Sequence, residues 1–482
     1  MIDDPTDAPS ATTSPTPGTA PAPTAAAATA TGRIAPCAPA CAAAGCVPTL
    51  CVGLGVPSNS ELFERSRRAI PGGVNSSIRA FRSVGGEPYV VARAEGATIT
   101  DVEGRTFLDL VQSYGAVIVG HAHPAITAAV AAAAADGTSY GAPTPREMKL
   151  AEAISERVPS CERVRLMNSG TEATSTSIRL ARGVTGRDRV VKFAGNFHGA
   201  TDALLVEGGS GIATLGLPGT AGVPRAAVAD TIVAPYNQVP ELTDEVAAVI
   251  VEPVAANMGV VAPVAGFLEG LRTECDRVGA LLIFDEVITG FRLAPGGAQE
   301  RYDVVPDITC FGKVIGGGLP IGAIGGRAEI MDHLSPLGPV FHAGTLSGNP
   351  LATAAGLAVL DQLTADVSIE LLARARHLAA TMRDACASAG FAARFEVVGS
   401  LVGIVCGEGA ADPVRDFDDA RTTDEDAYAA FFRAMLDEGV ALAPGAYEAL
   451  FVGLAHTDEV LDAIAAATER AARVAVAELE RG

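Results

Sequence analysis

From residue 60 onward the chain changes its rhythm of apolar and polar positions several times. "SELFERSRRAIPGG" reads as a short capped helix starting near Ser60 and ended by Pro71 and Gly72. "YVVARAEGATITDVEGRTFLDLV" alternates and turns at Glu103-Gly104, which predicts β-hairpins. After His123-Pro124 the pattern becomes helical in "AITAAVAAAAA" and "EMKLAEAISERV". Short, apolar, β-branched runs then recur with helices between several of them: "RVRLMN", "RVVKFAG", "DALLVEG", "VAAVIVEP", "ALLIFDE" and "DITCFG". Runs apolar on both faces predict a mostly parallel sheet covered by helices on both sides. From about residue 350 a long helical stretch leads into helices mixed with short strands such as "LVGIVCG", a second α+β unit. The last helix opens at Thr457-Asp458-Glu459, an N-cap candidate with acids in the first turn.

Composition sharpens this picture at three points. Residues 1–58 are rich in Ala, Pro and Thr and hold no aromatic, so they cannot bury enough surface to offset ordering entropy; disorder is expected. This segment begins Met-Ile-Asp-Asp and has Arg33 as its only basic residue, which fits neither a secretory signal nor a transit peptide; a dispensable extension is expected. The rest divides into 59–115 (first part of a small domain), 116–365 (a large domain) and 366–482 (a C-terminal α+β part of the small domain). A net charge of −21 repels phosphate backbones and excludes a nucleic-acid role. No strongly apolar, uncharged run is long enough to suggest a membrane span. Of nine cysteines, Cys37, Cys41, Cys46 and Cys51 have a spacing that fits no metal pattern; Cys161, Cys275, Cys310, Cys386 and Cys406 read as buried reduced thiols of a cytoplasmic protein. His121 and His123 in "GHAHP" fit a turn rather than a metal site, and no metal is expected.

In open α/β sheets ligands sit beyond the carboxyl ends of the strands. "RVRLMN" is followed by Ser169, Gly170 and Thr171 and then a helix, an arrangement that offers N–H groups to an anion. "ALLIFDE" ends in Asp285 and Glu286, and a buried carboxylate needs a partner, such as a cationic ring nitrogen, a salt bridge or a metal. "DITCFG" is followed by Lys313 and "GGGLP": an amine desolvated by apolar neighbours, with glycines that let backbone approach a ligand closely. An anion turn, a buried acid and an amine at the ends of one sheet suit pyridoxal 5'-phosphate (PLP), by holding its phosphate, its ring nitrogen and its aldehyde carbon respectively.

At these residues the sequence resembles the glutamate-1-semialdehyde 2,1-aminomutases, within the class III aminotransferase group of fold-type-I PLP enzymes. "PGGVNSSIRAF", "NSGTEA", "GSGIATLGLPGTAGVP", "LLIFDEVITGFR", "FGKVIGGGLPIGAIGGR" and "HAGTLSGNPLA" carry the resemblance, from about Ser60 to the C-terminus. It implies that Lys313 carries the cofactor and shuttles the proton, and that Asp285 pairs with the ring nitrogen. Ser169, Gly170 and Thr171 cradle the phosphate, and Thr345 contributes to the neighbouring subunit's phosphate site, so a homodimer with a shared active site is implied. Val287 and Phe197 cover the two ring faces. Ser76 and Arg79 match the substrate-carboxylate site; Asn257 and Glu448 match polar groups near substrate or cofactor. His198 sits at the cofactor and holds local backbone, Glu252 supports the site from behind, and "GSGIATLGLPG" resembles a mobile lid.

Three departures from the pattern bear on substrate choice. Phe197 replaces a tyrosine, Tyr114 in "QSYGAV" replaces a tryptophan, and "YNQVPELTDEVA" is several residues short. A one-methylene misfit in a pocket is worth about 1–3 kcal/mol. The expected reaction is conversion of glutamate-1-semialdehyde to 5-aminolevulinate, a tetrapyrrole precursor. The alternative is an aminotransferase acting on a β- or ω-amino acid with a keto-acid acceptor, and a third reading is an idle paralogue used for binding.

Overall fold

The first helix begins where a capping box can form. In α1 (Asn59–Ala69) the Ser58 hydroxyl accepts from the Glu61 N–H, and the Glu61 carboxylate accepts from the Ser58 N–H. The start therefore falls earlier than Ser60, because Ser58 is the residue with a glutamate three positions on. The computed structural model describes residues 57–206 and 220–481. The extension up to residue 56 with its four cysteines, and the glycine-rich "GSGIATLGLPG" segment, lie outside the described residues.

Strands β1 (Val91–Glu95), β2 (Thr98–Asp101) and β3 (Thr106–Asp109) form an antiparallel meander that turns at Gly104, where φ is +86°. Helices α2 (Pro124–Asp136) and α3 (Pro145–Arg157) follow. A seven-stranded sheet then assembles from β4 (Arg163–Met167), β5 (Arg189–Phe193), β6 (Thr231–Ala234), β7 (Val246–Val251), β8 (Leu281–Asp285), β9 (Ile308–Gly312) and β10 (Gly322–Gly326), in the order β4-β10-β9-β8-β7-β5-β6. Pairing is parallel except at β10, which runs antiparallel to both β4 and β9.

Residue parity divides the sheet between two helical layers. Val191, Phe193, Val249, Val251, Leu282 and Phe284 pack with Phe267, Leu268, Leu271 and Cys275 of α5 (Phe267–Val278). Their neighbours Val190, Ala248, Ile250, Leu281 and Ile283 pack with Ala173, Ile178, Leu180 and Ala181 of α4 (Gly170–Thr185). The sheet is thus covered on both faces, which explains its continuously apolar strands.

The strand pattern needs three corrections. "DALLVEG" is not a strand: Asp202–Leu204 forms a 3₁₀ turn, and the buried Lys192 ammonium donates to the Leu204 and Val206 carbonyls. β6 is a four-residue edge strand. β10, "GAIGG", hides because glycine carries no strand signal. Its glycines are required by crowding: a Cβ at Gly322 would lie 2.1 Å from the Ser169 carbonyl oxygen, and one at Gly326 2.6 Å from that of Asp307.

Beyond α6 (Pro350–Leu360) and α7 (Ala365–Ala389) the chain forms β11 (Ala393–Val398), β12 (Leu401–Cys406), α8 (Glu425–Asp437), β13 (Val440–Ala441), β14 (Leu450–Phe451) and α9 (Asp458–Leu479). β11, β12 and β14 make a separate antiparallel sheet, whereas β13 pairs in parallel with β3. Both ends of the described chain therefore share one sheet. They share a core as well, with Phe81, Val84 and Leu110 packed among Leu378, Met382, Phe431, Phe432 and Leu461.

One backbone feature stands out. Gln112, Ser113, Tyr114 and Gly115 all have positive φ, so four consecutive residues make a left-handed turn. For three non-glycine residues this conformation costs about 1–2 kcal/mol each. The fully buried Gln112 offsets part of it by donating to the Asp109 carboxylate and carbonyl, while Asp109 also accepts the N–H groups of Val111 and Gln112. Arg292, itself fully buried, closes the turn by donating to the Gly115 carbonyl at 2.6 Å, and it also reaches Ser400 Oγ and the Val452 carbonyl.

Candidate active site

The carboxyl ends of β4, β5, β7, β8 and β9 lie along one edge of the sheet, and each delivers a functional group there. After β4 comes Ser169, the N-cap of α4, whose hydroxyl accepts from the Glu172 N–H at 3.2 Å. The first N–H groups of a helix have no intrahelical acceptor and carry the positive end of its dipole, so Gly170 and Thr171 sit where an anion is stabilised. After β5 comes the Phe197-His198 loop, pressed against α4: Thr174 Oγ1 donates to the His198 carbonyl at 2.7 Å and Thr171 Oγ1 accepts from the Ala200 N–H. The contact needs Gly199, whose φ is +78° and whose Cβ would lie 2.4 Å from Thr171 Oγ1.

β8 ends in Asp285, 4% exposed. Its Oδ1 accepts from the Val287 N–H and its Oδ2 bonds His198 Nδ1 at 2.8 Å. A carboxylate is an acceptor only, so Nδ1 carries the proton. Burial holds the imidazole pKa below its ordinary value despite the Asp285 charge, and the neutral ring is left with an unpartnered buried Nε2. The expectation for His198 is corrected here: its ring bonds the Asp285 carboxylate rather than bracing backbone. A histidine just after one strand, on the same sheet edge as an aspartate ending another, was the available signal.

Lys313 follows β9 with φ +47°, a conformation rare for a side-chain-bearing residue. Burial drives its pKa below the ordinary lysine value, opposed by the charges of Asp285, Glu252 and Glu448. An amine so placed is held closer to its neutral, nucleophilic form.

These groups enclose a cavity of about 410 Å³ lined by Ser169, Gly170, Thr171, Phe197, His198, Asn257, Asp285, Val287 and Lys313, together with Glu252. Five expected residues lie apart from its wall. Glu448 acts electrostatically on both Lys313 and Tyr114, and Arg79 acts on Tyr114, so those three residues form a neighbouring group on the same side. Ser76 is exposed at the start of the 3₁₀ turn Ser77–Ala80 that carries Arg79. Thr345 is exposed, in a stretch that also presents Phe341 (69% exposed) and Leu346 (52%).

Glu252 is more central than its sequence reading allowed. It follows the six buried residues of β7, just as the Asp285-Glu286 pair closes β8, and that parallel was the missed signal. It is 3% exposed and accepts from the N–H of Phe197, the N–H of Ala256 and Nδ2 of Asn257. The buried Glu286, by contrast, is committed to structure: it accepts from Ala298 N–H, Gln299 and Thr289 Oγ1.

The cavity meets the demands of PLP from its own residues: a helix N-terminus for phosphate, a buried acid for a ring nitrogen, a desolvated amine and an orphaned imidazole nitrogen. Val287 touches the cradle directly, since a Cβ at Gly170 would meet its Cγ2 at 3.1 Å.

Comparison with known proteins bears on the same residues. Residues 81–468 match the family model of class-III aminotransferases. A glutamate-1-semialdehyde 2,1-aminomutase of Syntrophobacter fumaroxidans is 53% identical over 409 residues, covering 83% of this chain and 94% of that protein. Among solved structures, an omega-transaminase from Sphaerobacter thermophilus superposes with a TM-score of 0.79 at 34% identity, covering 87% of this chain and 98% of that one. A transaminase with PLP bound gives 0.78 at 30% identity, covering 88% and 99%. With a family match over most of its length and half its residues shared with such relatives, the chain belongs to the class-III aminotransferases and, among them, to the glutamate-1-semialdehyde 2,1-aminomutase family.

Proposed function

We propose that this protein is a PLP-dependent glutamate-1-semialdehyde 2,1-aminomutase, which transfers an amino group within one molecule and yields 5-aminolevulinate. The observation that carries the reading is the convergence of buried Lys313, the Asp285–His198 pair and the α4 N-terminus on one cavity. Membership of the aminomutase family supports the substrate.

The bound cofactor supplies an electron sink for carbanionic character and a carrier for the amino group. Everything else falls to the chain. The α4 N-terminus, with Ser169, Gly170 and Thr171, anchors the phosphate by backbone N–H groups and the helix dipole. Asp285, hydrogen-bonded by the Val287 N–H and His198 Nδ1, would hold a positive ring nitrogen. Val287 and Phe197 form the walls between which a flat ring fits. Lys313 Nζ, whose burial favours the neutral amine, would take a proton from one carbon and return it to another. Arg79 and Ser76 take the substrate carboxylate, with Tyr114 and Glu448 beside them.

We read the catalytic unit as a homodimer with a shared site. The exposed Thr345 beside Phe341 and Leu346 supports a contact there. We also read the chain as a large PLP-binding domain (116–365) and a small one from 59–115 and 366–482; the β1-β2-β3-β13 sheet supports that division. Cytoplasmic placement is supported by the five described cysteines, all unpaired and buried. Among the described residues no helix is long and apolar enough to cross a membrane.

Incubation of the holoenzyme with semialdehyde and no added keto acid tests the reaction: 5-aminolevulinate forms in many turnovers. If turnover stops after one equivalent unless a keto acid is supplied, the protein is an intermolecular aminotransferase, the second reading, which the similarity to an omega-transaminase favours.

A further inference from the structure

We propose that Arg292 is a positioning residue for substrate binding: its guanidinium ties the turn that presents Tyr114 to the loop that gives the cofactor cavity Val287 and Ile288, and so fixes how far the substrate side stands from the cofactor side. This rests on the reading of Tyr114, Arg79 and Glu448 as the substrate side of the site.

The loop after β8 is a hydrogen-bonded helical turn. The Gly290 N–H donates to the Glu286 carbonyl, and the N–H groups of Arg292 and Leu293 donate to the Thr289 carbonyl. This turn faces two ways. Val287 and Ile288 line the cavity, whereas Ile288 and Leu293 belong, with Phe451, to the apolar cluster against which Tyr114 packs. Arg292 leaves the same turn and divides its donors between two regions. Nη1 donates to Ser400 Oγ at 3.0 Å and to the Val452 carbonyl at 3.2 Å; Nη2 donates to the Gly115 carbonyl at 2.6 Å. The Ser400 and Val452 segments are already joined, since the Val452 N–H donates to the Ser400 carbonyl. Gly115 differs. Asp109 holds the left-handed turn at its start, through the N–H groups of Val111 and Gln112, and Nη2 takes hold at its end. The Phe451 ring backs both partners of that contact: it lies 5.2 Å from the guanidinium carbon, and a Cβ on Gly115 would lie 2.6 Å from its Cε1.

Stability does not account for a cation at this place. The side chain is fully buried, its Nε has no partner, and among the described residues its hydrogen-bond acceptors are two carbonyls and a hydroxyl, none of them a carboxylate. Burial pushes its pKa down to about 9, which leaves it charged at neutral pH. A buried charge without a counter-ion works against folding. An apolar side chain would fill the space without that cost, but it could not hold the Gly115 carbonyl. What the guanidinium adds is direction: a planar fork that reaches two regions from one stem.

The test uses full-length holoenzyme and glutamate-1-semialdehyde, in the wild type, Arg292→Lys, Ser400→Ala, Tyr114→Ala and the Arg292→Lys/Tyr114→Ala double variant. KM, kcat, PLP affinity and the urea midpoint are measured for each. An ammonium is a point donor that does not span both regions, and a lost hydrogen bond from a charged group is worth roughly tenfold. Arg292→Lys therefore raises KM about tenfold while kcat and PLP affinity hold, the pattern of lost ground-state binding. Ser400→Ala loses one Nη1 bond and keeps the Gly115 contact, so its midpoint falls and its KM stays. In the double variant Arg292→Lys adds nothing to the KM of Tyr114→Ala. Should Arg292→Lys fail to fold, Phe451→Leu takes its place: removing the ring behind the clamp raises KM about threefold with PLP affinity retained. Wild-type KM in folded Arg292→Lys, or in Phe451→Leu where that stands in, overturns the proposal. An equal KM rise in Ser400→Ala, or additive KM effects in the double variant, does the same. Wild-type KM in Tyr114→Ala, or no turnover by the wild type, overturns the reading of the site itself and the proposal with it.

Discussion

Adding a single methyl group at Gly322 tests how the sheet builds the anion cradle. In Gly322→Ala the new Cβ would lie 2.1 Å from the Ser169 carbonyl oxygen, 2.5 Å from its carbon and 3.2 Å from the Gly170 nitrogen. All three atoms are backbone, so no rotamer change relieves the clash. Ordinary contact requires the cradle to retreat from β10 by more than about 1 Å, against the Gly322–Met167 register of β10 and β4. Overpacking of this kind costs about 1–3 kcal/mol of stability. A displacement of about 1 Å in a positioned group costs on the order of 10²-fold in function. The assays are a urea unfolding midpoint and a fluorescence titration with PLP. The control is Gly325→Ala on the same strand, whose Cβ meets the Cys161 side chain instead of the cradle. We expect both variants to lose stability and only Gly322→Ala to lose PLP affinity, by about 10²-fold. Wild-type affinity in a folded Gly322→Ala protein, or equal affinity losses in both variants, would refute the role given to the β10–Ser169 contact.

Lys313→Ala removes the proposed proton carrier and should lower the single-turnover rate by about 10²- to 10⁴-fold with the unfolding midpoint retained; near-normal turnover would exclude the lysine. Asp285→Asn removes a charge that raises the Lys313 pKa, so amine-selective labelling of Lys313 in cofactor-free protein shifts its pH midpoint downward; an upward shift contradicts the electrostatics. Asp101 is buried, which pushes its pKa up, but hydrogen bonds from Asn59 and Arg105 outweigh this and hold it below the ordinary value. Its stabilisation is therefore present above the unfolded carboxyl pKa and is lost as pH falls through the folded one. Asp101→Asn should cost about 1–3 kcal/mol at pH 7, with the gap to wild type closing in strong acid, read by denaturant midpoints.

Most of the fold was legible because the strands of a sheet buried on both faces write themselves as uninterrupted apolar runs, as "VAAVIVEP" and "ALLIFDE" do. The runs also end where the chemistry begins, which made Asp285 and Lys313 visible. β10 escaped because its signal is an absence: glycines chosen to clear the Ser169 and Asp307 carbonyls look like a loop. "DALLVEG" misled in the opposite sense, since its apolar residues pack beneath a turn held by Lys192. The His198–Asp285 bond and the Glu252 hub join segments 87 and 55 residues apart, and only the parallel arrangement of β5, β7 and β8 brings them together.

The left-handed turn at Gln112–Gly115 separates a job of scaffolding from a job of selection. Its shape is imposed by Asp109, Gln112 and the Arg292 clamp, none of which depends on what ring position 114 carries. The aromatic at 114 can therefore be exchanged without redrawing the main chain beneath it. Whatever the ring at 114 contacts, the bracket that presents it is set independently of that ring.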